Sequence, residues 1–162
     1  MSQPLSSRIW SKIAHTIIIE TNPDYFEFRL KDRNIRLKTC VLVRLEEDGE
    51  FEIIEFGTDQ ESVGTRAFYL FKENDWGNDS SKQLWALVRF LQHGIKALLP
   101  TGRAVFRPIA HFTGVYSFDH LFTGYQFLLF SELAFYAGAR EVYFAELDQR
   151  SVQHHRLLKL TN

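Results

Sequence analysis

The sequence predicts a single α/β domain, residues 1–162, built on one mixed sheet with an antiparallel meander and helices on both faces. Three observations carry this. The first third of the chain holds several short runs of strand character, some alternating apolar and polar at period two, separated by turn residues. The later part contains two helix-length segments, one with apolar residues spaced three and four apart and one apolar almost all round. Strand-like runs follow each of those segments, and a meander running into alternating helix and strand units gives a mixed sheet.

Taken in order, His15–Glu20 (HTIIIE) reads as a buried strand and Tyr25–Leu30 (YFEFRL) as a half-buried one. Ile35–Gly57 continues as two further strands, with Glu46–Glu50 (EEDGE) as the hairpin turn, so that three or four strands end near Phe56. Residues 62–81 are irregular and hold one short edge strand. They close on Asp79 or Ser80 as an N-cap. Leu84, Leu87, Val88, Leu91, Ile95 and Leu98 then form one stripe along a helix that stops at Pro100. Gly102–Phe112 is a strand candidate, with Pro108 placing its middle at an edge or a bulge. Ser117–Gly138 is a second helix, with Ser117 or Asp119 near its start and Gly138 as the C-cap. Glu141–Leu147 is the last strand, and Arg150–Leu160 a terminal helix.

Bulk properties exclude some classes of function. With 45% apolar and 24% charged residues the chain is of ordinary globular composition, long enough for one sizeable core. A net charge of -1 supplies no field for nucleic acid or an anionic membrane. No apolar run approaches the ~18 residues of a bilayer span. The first residues show no signal-peptide pattern, so cytoplasm is the expectation. Cys40, the one cysteine, lies in the apolar run TCVLVRL and reads as a small buried hydrophobe. Fifteen Phe, six Tyr and three Trp are many for this length, and they suit either a core or an association surface.

The order of elements is the outline of the ribonuclease H-like fold, the core of actin-type ATPase domains. One stretch sharpens this: Ala137–Asp148, AGAREVYFAELD. It resembles the bacterial actin MreB family, the rod shape-determining proteins, in which a helix ends in QAGAREVYLIEEP. Seven consecutive residues, Ala137 to Tyr143, agree. Thr16–Asp32 stands where that family has a first strand, a phosphate loop of the type DLGTANT and a second strand. Glu52–Gln60 resembles the family's VLAVGEEA strand and turn. The resemblance covers nearly all of this chain but only about the first half of an MreB-like protein. It implies an actin-like fold, and it allows an ATP site to be tested position by position.

That test points away from ATP hydrolysis. The family's phosphate loop needs Gly, so that backbone N–H groups can approach the phosphates. Here Glu20 falls near the metal-organising acid, but TNPDY replaces the loop, and Pro23 has no N–H. An Asn-Pro-Asp β-turn accounts for that segment. In the ungapped alignment from Ala137, Glu146 meets the first acid of the family's pair, Leu147 the catalytic one, and Asp148 the Pro. Leucine orients no water. No cofactor is therefore expected.

No metal is expected either. His154 and His155 are adjacent, about 100° apart on a helix, and are not an i, i+4 ligand pair. His111 and His120 flank the entry to the second helix without further ligands. An alternative keeps Glu20, Glu146 and Asp148 as the carboxylates of a small metal-dependent enzyme on a ribonuclease H-like scaffold.

The family's helix before AGAREVY is polar outside, in the manner of VERRAVREAALQ. Here the matching residues are YQFLLFSELAFY, with Phe127 and Leu128 at two basic positions and Phe118, Leu121 and Phe122 extending the apolar character. A helix apolar nearly all round is buried on both sides or faces a partner. Phe118, Phe122, Phe127 and Leu128 are thus candidate contacts to a protein partner or a second copy through residues 117–136. Two function classes follow: a non-catalytic actin-like module, a pseudo-ATPase linked to cell shape by family association, or the metal-dependent enzyme.

Overall fold

The structure, a computed structural model, describes residues 15–46, 50–76, 79–99 and 107–147. Five strands form the main sheet: β1 (Thr16–Thr21), β2 (Tyr25–Leu30), β3 (Arg33–Lys38), β7 (Ile109–Thr113) and β8 (Glu141–Phe144), in the order β3-β2-β1-β7-β8. The meander β1-β2-β3 is antiparallel, whereas β7 runs parallel to β1, and β8 parallel to β7. Three more strands, β4 (Cys40–Leu45), β5 (Phe51–Phe56) and β6 (Thr65–Tyr69), make a separate antiparallel sheet in the order β5-β4-β6.

The second sheet is a departure from the expected single one. The run IRLKTCVLVRL reads as one strand, but the structure divides it at Thr39. Residues before Thr39 are mostly exposed along edge strand β3, while Cys40 to Val43 are all buried, since β4 is the centre of its own sheet. Thr39 secures the switch: its N–H donates to the Asp24 carbonyl, its hydroxyl to the Pro23 carbonyl, and its own carbonyl accepts from Leu70 N–H. The hairpin turn expected at EEDGE is closed by Glu46 N–H donating to the Glu50 carbonyl.

Helix α1 (Glu73–Trp76) follows β6 and puts Trp76 into the core, its indole N–H on the Tyr69 carbonyl at 2.8 Å. Helix α2 (Ser80–Leu98) starts at Asp79, whose carboxylate accepts the Lys82 N–H, and ends before Pro100 as expected. Its buried side is wider than the predicted stripe, with Ala86, Phe90 and Gly94 inside and Leu84 exposed. At its far end Arg33 donates to the Leu98 and Ala97 carbonyls at 2.9 and 3.0 Å, placing a cation at the negative end of the helix.

The strand expected across Pro108 begins only after it. Pro108 lacks the N–H a ladder needs, so β7 starts at Ile109, and β7 is central rather than an edge. The expected helix over residues 117–138 is broken in two. A 3-10 turn (Val115–Phe118) leads into α3 (Asp119–Phe122), Thr123 and Gly124 adopt positive φ, and α4 (Gln126–Ala137) follows. Gly138 ends α4 at φ 109, the left-handed cap the sequence predicts.

Both long helices lie on the same face of the main sheet. Phe26 and Phe28 of β2 meet Phe90 of α2, while Phe26 and Phe112 meet Phe130 of α4. Phe118 joins them, so much of the aromatic excess goes into one continuous cluster. The opposite face carries Ile18 and Glu20 of β1, Glu27 and Arg29 of β2, and His111 of β7. The terminal helix expected over 150–160 lies outside the described residues.

Candidate functional site

The carboxyl ends of β1, β7 and β8 are adjacent, and two of the three candidate carboxylates stand there. Between β1 and β2 the chain turns through Asn22–Tyr25 as the sequence predicts. Asn22 N–H donates to the Tyr25 carbonyl, Tyr25 N–H to the Asn22 carbonyl, and Asp24 N–H to the Asn22 side chain at 2.9 Å. Pro23 has no N–H. The donors of this turn are all spent internally, and the outward carbonyls of Pro23 and Asp24 are held by Thr39.

Glu20 lies directly opposite Glu27 on β2, a like-charge pair that is unfavourable without a cation. Arg29 supplies it, with Nη2 2.6 Å from Glu20 and Nε 3.7 Å from Glu27. Glu20 is also in register with Thr113 at the end of β7. Two residues later Val115 N–H donates to Glu146 Oε1 at 2.8 Å, while Glu146 Oε2 is buried and has no hydrogen-bond partner among the described residues. The two acids thus share one end of the sheet. Their partners differ: Arg29 holds Glu20 on the open face, and a backbone amide holds Glu146.

The turn between them is tight. Gly114 has φ 80, and a Cβ there would stand 2.5 Å from the Thr21 carbonyl oxygen, while the Thr21 hydroxyl donates to the Thr113 carbonyl. Leu147 packs against the core and lines a cleft of about 370 Å³ with Thr16, Ile109, His111 and Tyr143. Asp148, His154 and His155 lie outside the described residues. Among the described residues no three of His, Cys, Asp and Glu are grouped to hold a metal ion. His93 stacks on Phe56 at 4.8 Å, and desolvation lowers its pKa against the opposing effect of Glu55.

The candidate contact residues separate sharply. Phe118 is 0% exposed and belongs to the core, a correction to its reading as a contact residue, because the turn before α3 points it at Phe26 and Phe130. Phe122 is half-buried against Phe71 and Phe118, and Phe127 half-buried between Phe144 and Tyr116. Leu128 remains on the surface, 43% exposed. The exposed aromatics of this region are Tyr116, Tyr125 and Tyr136, which the sequence reading passes over. The phenol hydroxyl was the available signal, since Tyr favours a wet edge where Phe does not.

No protein-family model matches the chain, and no curated protein matches it in sequence. Solved structures do resemble it. A non-polymerising mutant of MamK bound to AMPPNP superposes with a TM-score of 0.55 at 10% identity, over 81% of this chain and 40% of that one. MreB5 of Spiroplasma citri bound to ADP gives a TM-score of 0.53 at 11% identity, over 82% and 38%. The same protein bound to AMPPNP gives 0.53 at 10%, over 81% and 38%. The fold is therefore actin-like, and the chain spans about two fifths of the length of those structures.

Proposed function

We propose that this chain is a single divergent actin-like domain, related to the first subdomain of MreB-type proteins, that acts without catalysis through protein contacts in the cytoplasm. A role near the cell-shape or cytoskeletal machinery follows from family association alone. The observation that carries the reading is the first hairpin turn. An actin-type phosphate loop offers free backbone N–H groups to the phosphates. Here Asn22, Asp24 and Tyr25 spend theirs within the turn, and Pro23 has none. Leu147, packed on the core in place of the family's catalytic acid, and Glu20, held by Arg29, support the same reading.

A second reading, a small metal-dependent enzyme, rests on the unpartnered buried Oε2 of Glu146 beside the strand end that carries Glu20. Calorimetric titration with magnesium-ATP and with manganese separates the two. The module takes up neither. A saturable metal-dependent heat that disappears in Glu20→Ala and in Glu146→Ala would replace the module with the enzyme.

A further inference from the structure

Helices α2 and α4 pack over Phe26, Phe28 and Phe112, and neither lies over the opposite face of the main sheet. That face includes the three parallel strands β1, β7 and β8. Parallel strands are ordinarily covered on both sides, and their side chains are apolar accordingly. Here the second side is partly apolar too. Ile18 is 40% exposed on the central strand, and Thr16, Ile109, His111 and Tyr143 line the cleft they share with Leu147.

The described chain enters at His15, one residue before Thr16 in that cleft. The fourteen residues ahead of it are MSQPLSSRIWSKIA. At helical spacing Leu5, Ile9, Ile13 and Trp10 occupy an arc of about 140°, interrupted only by Ser6. Ser7, Ser11, Arg8 and Lys12 occupy the opposite side, and Pro4 suits the first turn of a helix. Leu5–Ala14 as a helix would be about 15 Å long, close to the ~20 Å of six-residue β1.

The described chain also leaves at the cleft, at Leu147. Beyond it, Val152, Leu157, Leu158 and Leu160 spread over about 240° of a helix and give no comparable stripe. The patterning therefore favours the segment that precedes β1.

We propose that residues 5–14 fold back as an amphipathic helix across this second face of the main sheet, with Ile9 and Ile13 seated against Ile18 and the cleft. Arg8 and Lys12 then stay in solvent, and the chain covers its own parallel strands.

Amide hydrogen exchange on the full chain tests this. Residues 5–14 are expected to exchange at least about tenfold more slowly than an unstructured segment. Ile9→Ser/Ile13→Ser should abolish that protection, and so should Ile18→Lys on the sheet. Ser7→Asp/Ser11→Asp, on the polar arc, should keep it. Circular dichroism checks that each variant retains its fold. Protection that survives Ile18→Lys, or that Leu128→Ser on α4 removes, would place the segment elsewhere and overturn the proposal. Unprotected residues 5–14 in the native chain overturn it outright. Protection that fades on dilution, alongside a dimer in sedimentation, makes the occupant the segment of a second copy and also overturns it.

Discussion

The carboxylate of Glu146, just beyond β8, accepts the backbone N–H of Val115, just beyond β7, at 2.8 Å. One hydrogen bond thereby joins the exits of two parallel strands and opens the 3-10 turn that delivers Phe118 to the core. Glu146→Ala leaves that amide without its acceptor, and a loss of about 1–3 kcal/mol in urea unfolding is expected. Glu146→Gln keeps an acceptor oxygen and should recover most of it. An unchanged midpoint for the alanine variant would show that the bond contributes nothing.

Gly94 sits in the middle of α2, where Gly is ordinarily about 0.5–1 kcal/mol worse than Ala. Here the sign reverses. A Cβ at Gly94 would stand 2.4 Å from the Phe28 ring, which is fully buried against Phe26 and Phe90 and has nowhere to swing. Gly94→Ala is therefore expected to destabilise by about 1–3 kcal/mol, the usual cost of overpacking. A stabilised variant in thermal or urea unfolding contradicts this packing.

Lys38 donates to both Asp59 oxygens, at 2.8 and 2.9 Å, and Tyr69 OH reaches the same carboxylate. The hydrogen bond from Lys38 lowers the Asp59 pKa, and the Asp59 bond raises that of Lys38. The depressed acid stabilises the fold above its unfolded value, about 3.9, and that contribution fades as pH falls through the folded value. The raised base stabilises below about 10.4, and its contribution is lost as pH climbs through the folded value. The stability gap between the native chain and Asp59→Asn should thus be full between about pH 5 and 9 and close on both sides. A gap independent of pH would assign the effect to packing.

Burial pushes the Cys40 thiol up to about 11, with the Asp59 carboxylate adding to the effect. The thiolate is the reactive form, so the folded protein at neutral pH should leave a disulfide reagent unconsumed for many minutes. Unfolding in urea should release one equivalent at once. Rapid reaction in the native state would show that β4 opens readily or that Cys40 is accessible.

Some of this was legible one residue at a time. The alternation in YFEFRL, the cap at Asp79, the stop before Pro100 and the left-handed Gly138 are local properties of residue type, and each stands where it was expected. At the candidate site, two residues were legible by type alone. Pro23 removes a donor, and Leu147 cannot act as an acid. The break at Thr123–Gly124 was less visible, since apolar residues on either side continue the pattern.

By itself, then, the sequence determined most of the order of elements and several of their turns and caps, because backbone donors and φ preferences belong to each residue. Only the tertiary structure decided that Phe118 is core while Tyr125 and Tyr136 are surface, that Thr39 divides one apolar run between two sheets, and that Arg29 holds Glu20. Those outcomes depend on contacts between segments far apart in the chain. In a helix apolar on nearly every side, only the position of the neighbouring sheet selects which face is buried.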